Sequence, residues 1–173
     1  MTIKFQLLVK SRLHNGRYGM SAIAHASFVL RREIPAPPAR VFEAFADPEI
    51  KRRWFAEGDQ HEVEEFASDL REGATERLRY RFREGTQFAG MRIANTDTVL
   101  NVVPDERIIW ASKMAFGDAD ISAALITAEL LAVAAGTELV LTFQGAFFEG
   151  ADGPQIREMG WETLLDRLAG TVA

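Results

Sequence analysis

The C-terminal segment from Gly153 to Val172 constrains this chain most, because its residues recur at the period of an α-helix. Pro154 suits a helix start, where its missing N–H leaves nothing unpaired, and Gly170 suits a helix end. The stripe consists of Ile156, Met159, Gly160, Thr163, Leu164, Arg167 and Leu168, with Trp161 and Leu165 beside them. A stripe this wide predicts a long helix that is buried against a large partner.

The chain upstream of this helix consists mainly of short segments with the period of a β-strand. Seven strands are predicted, at residues 26–34, 62–66, 74–83, 91–103, 107–116, 121–133 and 137–148. Two short helices, at 38–46 and 49–55, follow the first strand, because prolines end that strand and can open a helix. Short links between consecutive strands favour an antiparallel meander. The prediction is an α+β fold in which one curved antiparallel sheet wraps around the long C-terminal helix.

Composition narrows the class of protein. At 173 residues the chain suits one domain with its own core. The net charge of −5 argues against nucleic acid as a partner. The absence of cysteine removes disulfides and thiolate chemistry, and the three histidines lack metal-ligand spacing. No apolar run is long enough to span a membrane, so no membrane contact is expected. With the lack of cysteine and of metal-ligand spacing, this predicts a cytoplasmic protein without a metal or cofactor.

Residues 1–24 admit two interpretations. Alternation around Phe5 and Leu7, followed by the turn signal Asn15-Gly16, favours an extra strand hairpinned onto the next one. A mobile leader, with Met20 as an alternative start, fits these residues equally well. The main domain is therefore expected over residues 25–173. Homodimerisation through the leader or an edge strand is a further hypothesis, which sedimentation showing only monomer at micromolar concentration would contradict.

Five motifs in a fixed order carry a resemblance to a known family. They are PARVFEAF with DP and KRRW (38–54), DLREGA (69–74), VVPDERII (102–109), GTELVLT (136–142), and GW, LL and L of the closing helix (160–168). Together with the order of elements, they resemble the helix-grip fold of the START-like (SRPBCC) superfamily. Within it they are similar to the bacterial activator of heat-shock-protein-90 ATPase homologue-like family. The resemblance spans about residues 27–169, and Ala74 stands where that family usually has a second glycine.

The resemblance implies more about fold than about function. Most single-domain members of this family look like small-molecule binders. The activity in the family's name belongs to a eukaryotic co-chaperone in which such a domain is one part of a larger protein. Since one fold hosts many functions, the function has to be argued from a site.

Large side chains on the predicted inner faces are the candidates for the lining of a cavity between sheet and helix. They are Trp54, Tyr80, Met91, Trp110, Phe143, Met159 and Trp161. Asn95 and Asp97 are the polar candidates, because polar groups that converge inside a cavity orient a bound molecule. They have this role if their strand face points inward, whereas a twist or bulge would leave them exposed.

The strand at 74–83 predicts two faces of opposite character. Arg77, Arg79, Arg81 and Arg83 alternate with apolar residues, so they share one face. We expect that face to be solvated and neutralised by nearby carboxylates, for which Glu62, Glu64, Glu65 and Glu76 are available. Tyr80 points the other way, and a buried tyrosine hydroxyl needs a partner in the backbone or in a ligand.

Three functions remain open, and no catalytic motif is recognisable. The first is a non-catalytic protein that holds a small apolar or aromatic molecule between the sheet and the C-terminal helix. The second is an enzyme of the polyketide cyclase or aromatase type, which needs an acid–base pair such as Tyr80 with Asp97 or His61. The third is a chaperone ATPase activator or another protein-interaction module, which needs an exposed apolar patch.

Overall fold

The structure, a computed structural model, describes residues 23–172. The first strand, β1 (Ala24–Ile34), is followed by helices α1 (Pro38–Ala46) and α2 (Pro48–Lys51), and α2 continues into a π-helical turn (Arg52–Ala56). Six strands follow, and helix α3 (Pro154–Val172) closes the domain. The six strands are β2 (His61–Ala67), β3 (Thr75–Phe82), β4 (Arg92–Val103), β5 (Arg107–Phe116), β6 (Ala119–Val133) and β7 (Gly136–Phe147). The predicted leader lies almost wholly outside the described residues.

All seven strands form one antiparallel sheet in the order β1-β7-β6-β5-β4-β3-β2. Strands β2 to β7 are a meander, and β1 pairs along its whole length with β7, the last strand of the chain. The helices between β1 and β2 therefore span from one edge of the sheet to the other. The predicted α+β helix-grip fold is confirmed.

The pleat of the sheet separates a core face from a solvent face. Phe28, Phe143, Ile126 and Trp110 lie opposite one another on adjacent strands, and all four are buried. Phe28 and Phe143 stack with their ring centroids 4.7 Å apart. We call this side the inner face, and α1, the π-helical turn and the C-terminal half of α3 pack over it.

The buried stripe of α3 differs from the predicted one. Leu165, Leu168 and Val172 are its buried residues, whereas Met159 is 44% exposed. Trp161, Leu164 and Ala169 pack beside the buried three. The burial predicted for Met159 is wrong, because the fully buried residues of the helix all lie in its second half. Leu164 and Leu168 were placed correctly.

Local signals fix the turn between α1 and the π-helical segment. Asp47 Oδ1 accepts hydrogen bonds from the backbone N–H groups of Glu49 and Ile50, at 2.8 and 2.9 Å, which caps α2. Trp54 donates its indole N–H to the carbonyl of Ala44 at 2.8 Å, so the second short helix is tied to the first. This arrangement holds Lys51 over the sheet, next to β3.

The solvent face of β3 is as predicted. Its arginines and Arg83, which follows the strand, are exposed. Arg79, Arg81 and Arg83 pair with Glu65, Glu64 and Glu62 of β2. Glu76 does not belong to this row, because it has the opposite parity and is buried on the inner face. Within residues 23–172 no helix is both long and apolar enough to cross a membrane.

Candidate functional site

The inner face of β3, β4 and β5 carries polar side chains where a core would carry apolar ones. Glu76 lies opposite Asp97, and Asp97 lies opposite Ser112. Asn95 follows on the same face of β4, opposite Leu78 and Met114. We call this group of residues the polar row: Glu76, Asn95, Asp97 and Ser112.

The sequence left open which way Asn95 and Asp97 point, and the structure answers it. Their neighbours of the same parity on β4, Ile93 and Val99, are 6% and 0% exposed. Asn95 and Asp97 therefore belong to the inner face. A bulge between Val99 and Asn101 ends this parity, and Asn101 turns outward to donate a hydrogen bond to Glu72.

Glu76 is the centre of a buried hydrogen-bond network. Its Oε2 atom accepts from the Lys51 ammonium at 2.6 Å and from the Trp110 indole N–H at 2.9 Å. Its Oε1 atom accepts from the Ser68 hydroxyl. Lys51 and Glu76 are 5% and 4% exposed, so this ion pair lies in the interior. Two aromatic rings, those of Phe55 and Trp110, each lie 5.6 Å from the Lys51 nitrogen.

Asp97 lies next to this network without sharing it. The side-chain oxygens Asn95 Oδ1 and Asp97 Oδ1 are both inaccessible to solvent and have no hydrogen-bond partner. Burial raises the pKa of Asp97 to about 6, although the Ser112 hydroxyl and the Lys51 ammonium act to lower it. The neighbouring Glu76 carboxylate raises it further, because like charges disfavour ionisation.

Tyr80 marks the other end of this part of the inner face. Its ring centroid lies 4.1 Å from that of His61, whose Nε2 atom bonds the Ala56 carbonyl at 2.8 Å. Burial raises the pKa of Tyr80 to about 12, so its phenol stays protonated at neutral pH. Arg157 of α3 forms a two-pronged ion pair with Asp152 nearby and donates to the Ser122 hydroxyl at 3.0 Å.

The predicted lining residues separate into three groups. Trp110 contacts the polar row directly, through its bond to Glu76. Trp54 and Phe143 are 1% exposed and fill the core, and Trp161 packs on Phe55 with ring centroids 6.2 Å apart. Met91 is 39% exposed and lies just before β4, where its carbonyl accepts a hydrogen bond from the Phe82 N–H at 2.9 Å. Its role as a lining residue stays a prediction.

Two surface grooves of residues 23–172 lie outside the space between the sheet and α3. One is a shallow groove beside Pro38 and the turn at Asp105. The other, of about 840 Å³, lies on the solvent face of β1, β5, β6 and β7. Leu125 lines that groove and is 39% exposed, and Val29 nearby is 53% exposed.

Four residues of the site were not predicted: Lys51, Glu76, Ser112 and Arg157. The alternation of strand residues between the two faces of the sheet would have placed Glu76 in the site. Glu76 alternates with the exposed arginines and therefore shares the face of Leu78 and Tyr80. Ser112 follows from Trp110 by the same rule. Lys51 and Arg157 could not be found in this way, since their positions depend on how the helices pack on the sheet.

The sheet, the two short helices after β1 and the closing helix define a helix-grip protein of the START-like class. The chain belongs to the family described as Activator of Hsp90 ATPase homolog 1-like protein, whose model matches residues 35–173. No curated protein matches the chain.

Solved structures of similar proteins support this assignment. A protein from Rhizobium leguminosarum is 35% identical, with a TM-score of 0.80 over 89% of this chain and 98% of its own. Mll3558 from Rhizobium loti is 39% identical, with a TM-score of 0.76 over 87% and 99%. Protein CV1439 from Chromobacterium violaceum is 26% identical, with a TM-score of 0.68 over 84% and 96%. These matches extend the shared fold over nearly the whole length of each relative.

The Lys51–Glu76 pair is expected to be essential for stability. Lys51→Met leaves a buried carboxylate without its cation, which costs about 3–5 kcal/mol of unfolding free energy. The matched control is Arg31→Met, which removes an ion pair to Glu138 from a side chain that is 60% exposed. Its expected cost is below about 1 kcal/mol. Urea unfolding measures both, and equal costs would contradict a structural role for the pair.

Asp97→Asn is expected to stabilise the protein at neutral and higher pH. The folded pKa of about 6 lies above the ordinary value of 3.8, so ionisation favours the unfolded chain. Stability from this residue is complete below pH 4 and is lost as the pH rises through 6. The variant should gain on the order of 3 kcal/mol at pH 8 and nothing at pH 3.5. Urea unfolding at both pH values checks this, and a loss of stability at pH 8 would refute it.

Proposed function

We propose that this protein binds a small apolar or aromatic molecule against the inner face of β3, β4 and β5. One polar end of the molecule lies at Asn95 and Asp97. The observation that carries this proposal is the pair of buried oxygens, Asn95 Oδ1 and Asp97 Oδ1, that have no partner. A native protein rarely buries such groups unsatisfied, and a ligand that donates hydrogen bonds to them would remove the cost.

The surroundings of these oxygens suit the apolar remainder of such a molecule. Leu78, Ile93 and Trp110 are buried on the same face and flank the polar row. Asn95 and Asp97 are two residues apart, so their side chains leave the strand about 7 Å apart. That spacing fits two donors at one end of a single aromatic or alicyclic molecule. Side chains must move for a ligand to enter. Met114 and Tyr80 are candidates for this movement, because they are only partly buried.

Binding is tested by thermal unfolding against a panel of fatty acids, flavonoids, steroids and other aromatics. A ligand at 100 times its dissociation constant adds about 2.7 kcal/mol to stability, which raises the melting temperature by several degrees. Asn95→Leu should abolish the shift, because it removes one of the two acceptors. Thr96→Val is the matched control, since Thr96 lies on the opposite, exposed face of the same strand. Cooperative melting without a shift for any compound would end the proposal.

Catalysis of the polyketide cyclase or aromatase type is a second candidate. In its favour, Asp97 is a carboxyl with a buried, unpartnered oxygen that lies opposite Glu76. Burial raises its pKa to about 6, which suits proton transfer near neutral pH. The register argues against a direct pair of Tyr80 with Asp97, because Tyr80 is opposite Ile93 and Asp97 is opposite Glu76. That offset of four residues is about 13 Å along the strand. Recovery of the bound molecule chemically unchanged, measured by mass spectrometry, would contradict catalysis.

A chaperone ATPase activator is a third candidate, and it depends on the solvent-face groove. The exposed side chains of Val29 and Leu125 beside that groove are the kind of apolar surface that such a role needs. The family's description names the activity. A chaperone ATPase rate that is unchanged by saturating amounts of this protein would exclude the role for that chaperone.

A further inference from the structure

The charges around the polar row do not balance. Three ionisable groups meet there, Lys51 from α2, Glu76 from β3 and Asp97 from β4. Lys51 is paired with Glu76 at 2.6 Å, so the charge of an ionised Asp97 has no cation of its own. Across the sheet from Asp97, β5 contributes only the neutral Ser112. Ionisation of Asp97 therefore leaves one net negative charge in the interior.

Several hydrogen-bond donors near Asp97 bond to other groups, and the Ser112 hydroxyl is the side-chain donor that reaches Asp97. The donors from Lys51, Ser68 and Trp110 all point at Glu76. At the other end of the inner face, the Arg157 guanidinium is held by both oxygens of Asp152. Among residues 23–172, Asn95 Oδ1 and Asp97 Oδ1 are the buried side-chain acceptors that have no hydrogen-bond partner.

This arrangement discriminates between ligands by charge. A ligand carboxylate would approach Asp97 and Glu76 together and would meet like charge in a poorly hydrated space. A neutral hydroxyl would satisfy one acceptor and leave the net charge unbalanced. A protonated amine would supply donors for both acceptors and the missing positive charge, and hydrogen bonds between charged partners are the stronger ones.

We infer that the ligand of this site carries a protonated amine on its apolar or aromatic body, and that the ammonium group binds between Asn95 and Asp97. The inference rests on the proposed function and specifies its ligand class. The acceptors come from the protein and the donors come from the ligand. Asp97 lies on β4, between β3 and β5. The bonds from Lys51 and Trp110 to Glu76 hold these neighbouring strands in place, so these three residues position the site.

The inference also sets the pH dependence of binding. Below pH 6 a proton competes with the ammonium for Asp97. The affinity for an amine should therefore fall by roughly tenfold for each pH unit below that value. Tyr80 stays protonated over this range, so we expect the change to follow Asp97.

The experiment compares three probes with one indole body: tryptamine, tryptophol and indole-3-acetate. Titration calorimetry at pH 7.5 should give tryptamine an affinity at least about tenfold above tryptophol, with indole-3-acetate weakest. Asp97→Asn should remove the preference for tryptamine and retain the binding of tryptophol. Asp118→Asn is the matched control, because Asp118 lies in the exposed turn between β5 and β6. This variant should behave as the wild type.

The outcomes separate the two proposals. Equal affinities for the three probes, or tighter binding of indole-3-acetate, would overturn the inferred ligand class and leave binding at the inner face intact. A tryptamine preference that survives in Asp97→Asn would overturn the assignment to this carboxylate. If none of the three probes binds and the wider panel also causes no thermal shift, both the ligand class and the proposed function are wrong.

Discussion

The carboxylate of Glu76 is the group on which this structure most depends, because donors from separate parts of the chain converge on it. Lys51 comes from the helices that follow β1, Ser68 from the end of β2, and Trp110 from β5. One buried acceptor thereby joins the helical cover, one sheet edge and the sheet centre. Loss of any one partner should destabilise the fold, because the groups that remain would be buried without a hydrogen bond and without water.

The difference in hydrogen bonding between Glu76 and Asp97 is the feature that points to a binding site. They lie directly opposite each other on neighbouring strands, yet one is fully bonded and the other has an oxygen without a partner. Two adjacent carboxylates with one ammonium, which bonds to Glu76, are an unfavourable arrangement for stability alone. Such local cost is typical of binding sites, where a ligand supplies what the fold lacks. Asp97 thus destabilises the free protein and would anchor the ligand in the complex.

The sequence predicted the fold well and the site only in part. Strand and helix bounds follow from local periodicity and prolines, so β1 to β7 and α3 were found within a few residues. Period two also predicted the face of Tyr80 and identified Asn95 and Asp97 as polar candidates. The pairing of Lys51 with Glu76 was missed, because it depends on helix packing that no local pattern encodes. The buried side of α3 was misplaced for the same reason, as Met159 shows.

The ionisation of Asp97 tests the central claim most directly. Carbon-13 NMR of the side-chain carboxyl, followed from pH 3 to pH 9, should give a midpoint of about 6 in the free protein. Saturating tryptamine should lower that midpoint, because the ammonium favours the ionised carboxyl. A midpoint near 4, as for an ordinary hydrated aspartate, would contradict the account. It would mean that water already satisfies Asp97 and that no ligand is needed to do so.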